Sequence, residues 1–339
     1  KNRPCKLERW GIISVRYMFK NKQQKLVAVR AFALLGVLCM GIAIGAVSVI
    51  VYGNIKQQQR QEKYSLLADR ILLGSDKDRT VNFSELRQKI SEYTTMNMQD
   101  DTYSMYFEYL PTGTSIGLNE SKNLVGASLL KVPFAMQYYR AVEEGKLQPG
   151  DIVSIKQSHL DDTYGDLYKK GEGYRLTLDT IVRTMLLDSD NTALRILADT
   201  LAEKASITTI DEVFSFVDLN YASNQDGSTL IGAGAYSSIL KCLYFACYVS
   251  KSNSQEILSL LTQSTFDNRL KRFIPQQKMP IVAHKIGSFG KTTQSDCGIF
   301  YEPKKPYVLC VMVNGNDETA STHIGKISII VHEYIASLN

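Results

Sequence analysis

Ser128 and Lys131 stand three residues apart in "LVGASLLKVPFAMQYYR", residues 124–140, where apolar spacing predicts a helix over 128–144. Positions i and i+3 share a helix face, so the lysine amine reaches the serine hydroxyl. A lysine withdrawn from water there loses its preference for charge. It can then accept the hydroxyl proton and activate Ser128 as a nucleophile. The helix N-terminus adds a partial positive charge and free N–H groups for a developing oxyanion. Alone the pattern carries little weight, because S-x-x-K recurs at Ser238–Lys241 and Ser288–Lys291.

Two further groups add weight through their order. In "LLDSDNTALRIL", Ser189, Asp190 and Asn191 open a helix, where a serine or aspartate is an ordinary cap. Chemically, Ser189 offers a hydroxyl that passes a proton to a leaving group, and Asn191 an amide that orients a substrate backbone. In "VAHKIGSFG", Lys285 is expected on an edge strand, with Gly287 permitting close approach of a backbone. Taken singly, these are a surface lysine and a strand-end glycine. S-x-x-K, then S-D-N 61 residues on, then K-x-G 96 residues after that, form an ordered set.

That set resembles the signature of class A β-lactamases and penicillin-binding proteins, over roughly residues 84–338. The resemblance implies an α/β (α+β) β-lactamase/transpeptidase-like fold. It implies acyl transfer through a serine ester, with a β-lactam or a D-Ala-D-Ala peptide as donor. Carried over, Ser128 is the nucleophile and Lys131 its base. Ser189 and Lys285 form the proton route and the electrostatic partner for the leaving group and the substrate carboxylate, and Asn191 holds the substrate amide. The backbone N–H groups of Ser128 and Ser288 line the oxyanion hole beside Gly287.

Two departures from the family pattern bear on function. Ile286 stands where the family has a Thr or Ser between Lys and Gly, so a hydroxyl for the substrate carboxylate is missing. Carboxylate recognition is expected to be weaker or altered, unless Ser288, Thr292 or Thr293 replaces that hydroxyl. The class A E-x-x-L-N loop, whose Glu activates the deacylating water, has no counterpart in "DLNYASNQDGSTLIGAGAY". Asp226 is a candidate substitute, although an Asp before Gly is ordinarily a turn residue. Without a positioned base the acyl-enzyme is expected to persist. That suits a D,D-carboxypeptidase or transpeptidase of peptidoglycan metabolism better than an efficient β-lactamase. A non-hydrolytic β-lactam or muropeptide receptor, and a scaffold that lost its chemistry, are the other readings.

The elements that must position these residues follow from the rest of the chain. Of 339 residues, 44% are hydrophobic and 22% charged, an ordinary globular balance. The net charge of +5 comes from residues 1–30, where nine Lys or Arg face Glu8 alone; the remainder is slightly acidic, which argues against nucleic acid. Residues 31–55, "AFALLGVLCMGIAIGAVSVIVYGNI", hold no charge, and 25 residues at about 1.5 Å each exceed a bilayer core of roughly 30 Å. A cleavable signal has a shorter apolar run, so a retained transmembrane helix is expected. The basic flank puts residues 1–30 in the cytoplasm and the rest, with the membrane as partner, outside. Residues 56–83 then form a juxtamembrane stalk, and 84–339 the hydrolase domain.

Within that domain Ser84 is a candidate N-cap, and "TYSMYFEYL" with "PTGTSIGLN" predicts a hairpin turning at Pro111 and Gly113. Helices are expected near 177–187, 191–203 and 236–250, then three strands and a last helix at 321–338. One antiparallel sheet built from both chain ends, flanked by helices and carrying an all-helical insertion, satisfies this order. A turn at Pro303–Lys304 sets Cys297 opposite Cys310, either as two apolar side chains in a sheet or as a disulfide. There is no CxxC and no Cys/His cluster, and no phosphate loop or dinucleotide fingerprint, so neither metal nor cofactor is expected. His159, His284, His323 and His332 share no spacing. Tyr164 and Tyr168 are candidates for the edge of a substrate groove.

Overall fold

The computed structural model describes residues 22–63, 65–67, 81–98, 102–219, 221–225 and 227–338. Contacts divide the chain into two units, Lys1–Lys63 and Tyr64–Asn339. In the first, one helix, α1, runs over Lys22–Lys63. Its stretch Val29–Lys56 has a mean hydropathy of 2.7 over an 18-residue window, with none of that window buried, and it is long and apolar enough to cross a membrane. Residues 1–21, 64 and 68–80 lie outside the described residues.

The second unit is built on a five-stranded antiparallel sheet of order β2-β1-β10-β9-β8. These strands are β1 (Tyr103–Tyr109), β2 (Thr114–Leu118), β8 (Ile281–Phe289), β9 (Thr293–Tyr301) and β10 (Tyr307–Asn314). As expected, β1 from the front of the domain pairs with β10 from its end, so the sheet closes the domain around the helices between them. The central strands β9 and β10 are buried on both faces along almost their whole length. On one face pack α2 (Ser84–Asn97) and the last helix α9 (Asp317–Ser337), through Leu86, Ile90, Ile324, Ile327 and Val331. Each such side chain contributes about 1.5–3 kcal/mol by leaving water.

The other face carries the helical body, whose buried residues form a second core. A single 3₁₀ turn, Ala127–Leu130, leads into α3 (Lys131–Glu143). Then come α4 (Leu178–Leu187), α5 (Asn191–Ala205), α6 (Asp211–Phe216), α7 (Ala233–Phe245) and α8 (Lys251–Thr262). Short strands join the loops: β3 (Leu124–Val125), β6 (Ala222–Ser223) and β7 (Thr229–Ile231) form one small sheet, β4 (Ile152–Ser154) and β5 (Arg175–Thr177) another.

Several expectations need correction. The helix predicted over 236–250 is α7, which starts earlier at Ala233 and stops at Phe245, because Ala246 takes a left-handed backbone with φ 51°; α8, which Ser250 caps by accepting from the Asn253 N–H, was not foreseen. The short α6 was not foreseen. Ser84 is not the cap of α2; it lies inside the helix, and Asn82 Oδ1 accepts from its N–H and its hydroxyl. Leu66 and Leu67, assigned by sequence to the stalk, are buried in the second unit. There Gln255 Oε1 accepts from the Leu66 N–H and Tyr301 donates to the Leu66 carbonyl. Cys297 pairs with Cys310 in the expected register, and the two are joined as a disulfide. A second disulfide, Cys242–Cys247, ties the end of α7 to the loop beyond it.

Candidate active site

Ser128 sits in the 3₁₀ turn at the mouth of α3, just after Ala127, whose φ of 46° is unusual for a residue with a side chain. Left-handed backbone of this kind costs of order 1 kcal/mol and persists only where packing enforces it. The enforcing contacts are visible: the Gly126 N–H bonds the Thr229 carbonyl, and the buried Tyr236 hydroxyl donates to the Leu129 carbonyl. The helix mouth is thus held against β7 and α7.

Lys131 is 1% exposed and its Nζ lies 3.1 Å from Ser128 Oγ. It also donates to the Ser189 carbonyl and, at 2.8 Å, to Asn191 Oδ1. Those two oxygens can only accept, so they take two of the amine hydrogens. In the neutral amine the lone pair is then left for Ser128, with Ser189 Oγ beyond it at 3.4 Å. Burial lowers the Lys131 pKa to about 8, against the opposing pull of Asp190 and Asp161. Among the described residues no carboxylate is bonded to this amine.

Ser189, like Ala127, is left-handed, with φ 56°, and is 1% exposed. Its hydroxyl stands between two lysines, 2.7 Å from Lys285 Nζ and 3.4 Å from Lys131 Nζ. The turn that holds it is anchored by Asp190, which caps α5 through the Ala193 N–H and accepts from the Leu167 N–H at 2.8 Å. Lys285, on β8 at the sheet edge as expected, is also 1% exposed. Burial holds its pKa well below the ordinary lysine value, and the neighbouring Lys131 adds to that; Asp296 opposes. Ser128, Lys131, Ser189 and Lys285 therefore form one connected file of exchangeable protons.

Asn191, read from the sequence as the amide that orients the substrate, lines the cleft and is also bonded within the protein. Its Oδ1 is taken by Lys131, and its Nδ2 donates to Thr163 Oγ1 at 2.8 Å. Gly287 also turns out to serve the protein's own packing: a Cβ there would lie 2.9 Å from the Gly126 carbonyl and 2.4 Å from Ser295 Oγ. We expect Gly287→Ala to push β8 off the nucleophile turn and to lower both urea midpoint and acylation rate together, measurable on one preparation. Of the hydroxyls weighed against Ile286, only Ser288 lines the cleft. Thr292 Oγ1 donates to the Phe289 carbonyl and Thr293 Oγ1 to Asn314 Oδ1.

A cleft of about 740 Å³ opens over this file, walled by Tyr164, Phe266, Ile286 and Phe289. Tyr164 is thus at the groove, as expected, and faces Phe266 with ring centroids 6.3 Å apart. Tyr168 is not among the lining residues. Asp226 lies outside the described residues. His284 is buried, its Nδ1 2.9 Å from Asp296 Oδ1, while Asp296 Oδ2 accepts from the Leu270 N–H.

Arg269 is a residue that sequence reading missed. It is 3% exposed and knits the floor of the cleft to β8, β9 and α9. Its Nη1 donates to the Gly287 and Ser295 carbonyls, both at 2.8 Å. Its Nη2 faces Ser288 Oγ, Gln294 Oε1 and Asp317 Oδ1. No spacing pattern marks it, because two of its partners are backbone carbonyls.

Comparison with known proteins adds to this geometry. A protein-family profile described as Beta-lactamase enzyme family matches residues 85–335. No curated protein sequence matches the chain. Among solved structures, a mutant of PBP-A captured as an acyl-enzyme complex with penicillin-G is 20% identical, with a TM-score of 0.67 over 75% of this chain and 97% of that one. A β-lactamase from Sphaerobacter thermophilus is 18% identical, TM-score 0.67, over 76% and 99%. The TLA-3 extended-spectrum β-lactamase is 19% identical, TM-score 0.68, over 76% and 100%. At these identities the likeness is one of fold.

Proposed function

The chain belongs to the β-lactamase enzyme family, and on that footing we propose that it is a membrane-anchored, extracytoplasmic serine hydrolase that forms an acyl-enzyme at Ser128. The donors are β-lactams or D-Ala-D-Ala-type cell-wall peptides. The observation that carries this reading is the contact of Ser128 Oγ with the buried Lys131 amine, continued through Ser189 to Lys285.

In the proposed reaction the Ser128 hydroxyl proton passes to the Lys131 lone pair as Oγ bonds to the carbonyl carbon. The backbone N–H groups of Ser128 and Ser288 receive the oxyanion. When the C–N bond breaks, the leaving nitrogen takes a proton from Ser189 Oγ, which is replenished from the adjoining lysines. Water or an amine then releases the acyl group. Because Lys131 acts as the neutral amine and its pKa is about 8, the acylation rate is expected to rise with pH up to about 8 and then level off. An ordinary lysine would give a rise continuing to about 10.4. A stopped-flow pH series reads the difference.

Slow deacylation is part of the proposal. No Glu stands in residues 218–236, the stretch that matches the family's deacylation loop, and Lys131 has no carboxylate partner among the described residues. This favours a penicillin-sensitive D,D-peptidase, or a receptor, over an efficient β-lactamase. The test is to label the full chain in detergent with fluorescent penicillin and follow the label after removing excess reagent. Label that persists for many minutes supports the reading; label that clears within seconds replaces it with a working β-lactamase.

Anchoring rests on the apolar stretch of α1, and orientation on the basic residues before it. Two disulfides in the second unit suit an oxidising, extracytoplasmic compartment.

A further inference from the structure

We propose that one face of the second unit rests on the lipid surface: the corner where Phe245 ends α7, with Ile281 at the start of β8 and the turn between β9 and β10. This rests on the membrane anchoring proposed above and adds to it the surface that meets the lipid.

The argument begins where the chain joins the unit. Leu66 and Leu67 are buried there, with the Leu66 N–H donating to Gln255 Oε1 and the Tyr301 hydroxyl donating to the Leu66 carbonyl. Lys56 ends the apolar stretch of α1, and Leu66 follows ten residues later. Seven of those ten continue the helix, at about 1.5 Å each, so the tether measures about 20 Å at most. A folded unit of this length is about 45 Å across, roughly twice the tether. The lipid therefore lies on the side where Leu66 is held.

That side carries open apolar surface. Ile281 pairs with Tyr301 across β8 and β9; the Tyr301 ring lies 6.3 Å from that of Tyr244, which lies 5.3 Å from Phe245. Ile281 is 59% exposed and Phe245 56%. Apolar side chains flanked by tyrosines match the chemistry of a membrane interface, where amphipathic rings sit at headgroup level. Phe245 is presented on a fixed corner, since Ala246 reverses the backbone and the Cys242–Cys247 disulfide closes the turn. Next to Tyr301 a second cavity, of about 610 Å³, continues the apolar surface through Met279, Pro280, Pro303 and Ile329. Its charged lining residues are Lys278, Glu302 and Glu333, an acidic balance, so the contact rests on apolar burial and not on anionic lipid.

The consequence for the site follows from β8. Ile281 opens this strand and Phe289, a wall of the cleft, closes it eight residues further on. At about 3.3 Å per residue the strand holds the cleft about 26 Å from the lipid-facing end.

The test uses the full chain inserted in phosphatidylcholine vesicles, with insertion checked by flotation. The sole tryptophan is removed by Trp10→Phe, and a single new one is introduced by Phe245→Trp, by Ile281→Trp or, as the cleft-side reference, by Phe289→Trp. All three positions are exposed, so the larger ring is accommodated. Acyl chains brominated near the headgroup quench any tryptophan lying in the interface. The Phe245→Trp and Ile281→Trp chains are expected to lose about half of their emission or more, and the Phe289→Trp chain less than about a tenth. Undiminished emission from the first two overturns the inference and leaves the anchoring reading intact. Equal quenching of all three, as a freely tumbling unit gives, does the same. So does a blue-shifted emission without quenching, as a protein cover gives. A chain that fails to float with the vesicles overturns the anchoring reading, and the inference with it.

Discussion

Lys131→Ala is expected to slow acylation of Ser128 by about 10²–10⁴-fold, the usual contribution of a positioned general base. Among the described residues the amine has no substitute: the neighbouring Lys285 donates to Ser189 Oγ at 2.7 Å and to the Ile286 carbonyl at 3.3 Å, and not to Ser128. Loss of the amine also leaves the Ser189 carbonyl and Asn191 Oδ1 short of a donor. The substitution therefore has a structural component as well, and a second variant separates the two. Lys131→Arg keeps a cation and several donors but cannot give up a proton near neutrality. If Lys131 acts as base, Arg is as slow as Ala. If it only neutralises charge or fills space, Arg recovers much of the rate. Stopped-flow acylation of the three proteins at pH 8 decides it.

The second large effect is on stability. Arg269→Leu removes a buried cation whose donors hold two strand carbonyls, two side chains of the cleft and the start of α9. Breaking such a buried network from one side costs about 3–5 kcal/mol. The exposed Asp317 can return to water, but the Gly287 and Ser295 carbonyls cannot. Urea unfolding is expected to show a markedly lower midpoint with an unchanged slope. Asp317→Asn, by contrast, removes only a half-exposed ion pair and is expected to shift the midpoint little. A small loss in Arg269→Leu would contradict the role of this residue as the joint between cleft and sheet.

The residues to which the chemistry is assigned were legible because their types and order are specific. Ser128 and Lys131, Ser189, and Lys285 come from three separate stretches, and the fold brings all four residues into one file. The β9–β10 register was legible too, because a two-residue turn centre at Pro303–Lys304 determines every pair beyond it, Cys297 with Cys310 included. Whether those sulfurs were joined was not, since small apolar side chains and a disulfide satisfy the same strand pattern. Asn191 was legible as a site residue and not as a partner of Lys131, a contact that depends on the left-handed turn at Ser189. Arg269 left no trace in spacing, because carbonyls carry no residue identity. The end of α7 at Phe245 went unseen for a related reason: apolar residues continue past Ala246, and only the backbone reverses there.

All of this turns on Ser128 as the nucleophile. The most direct measurement is to saturate the full chain with fluorescent penicillin over several hours, digest it and locate the adduct by mass spectrometry, with Ser128→Ala treated in parallel. The account predicts a single adduct on Ser128, with the Ala variant folded but unlabelled. Equal labelling of both proteins, an adduct on another residue, or no adduct on a folded parent chain would contradict it.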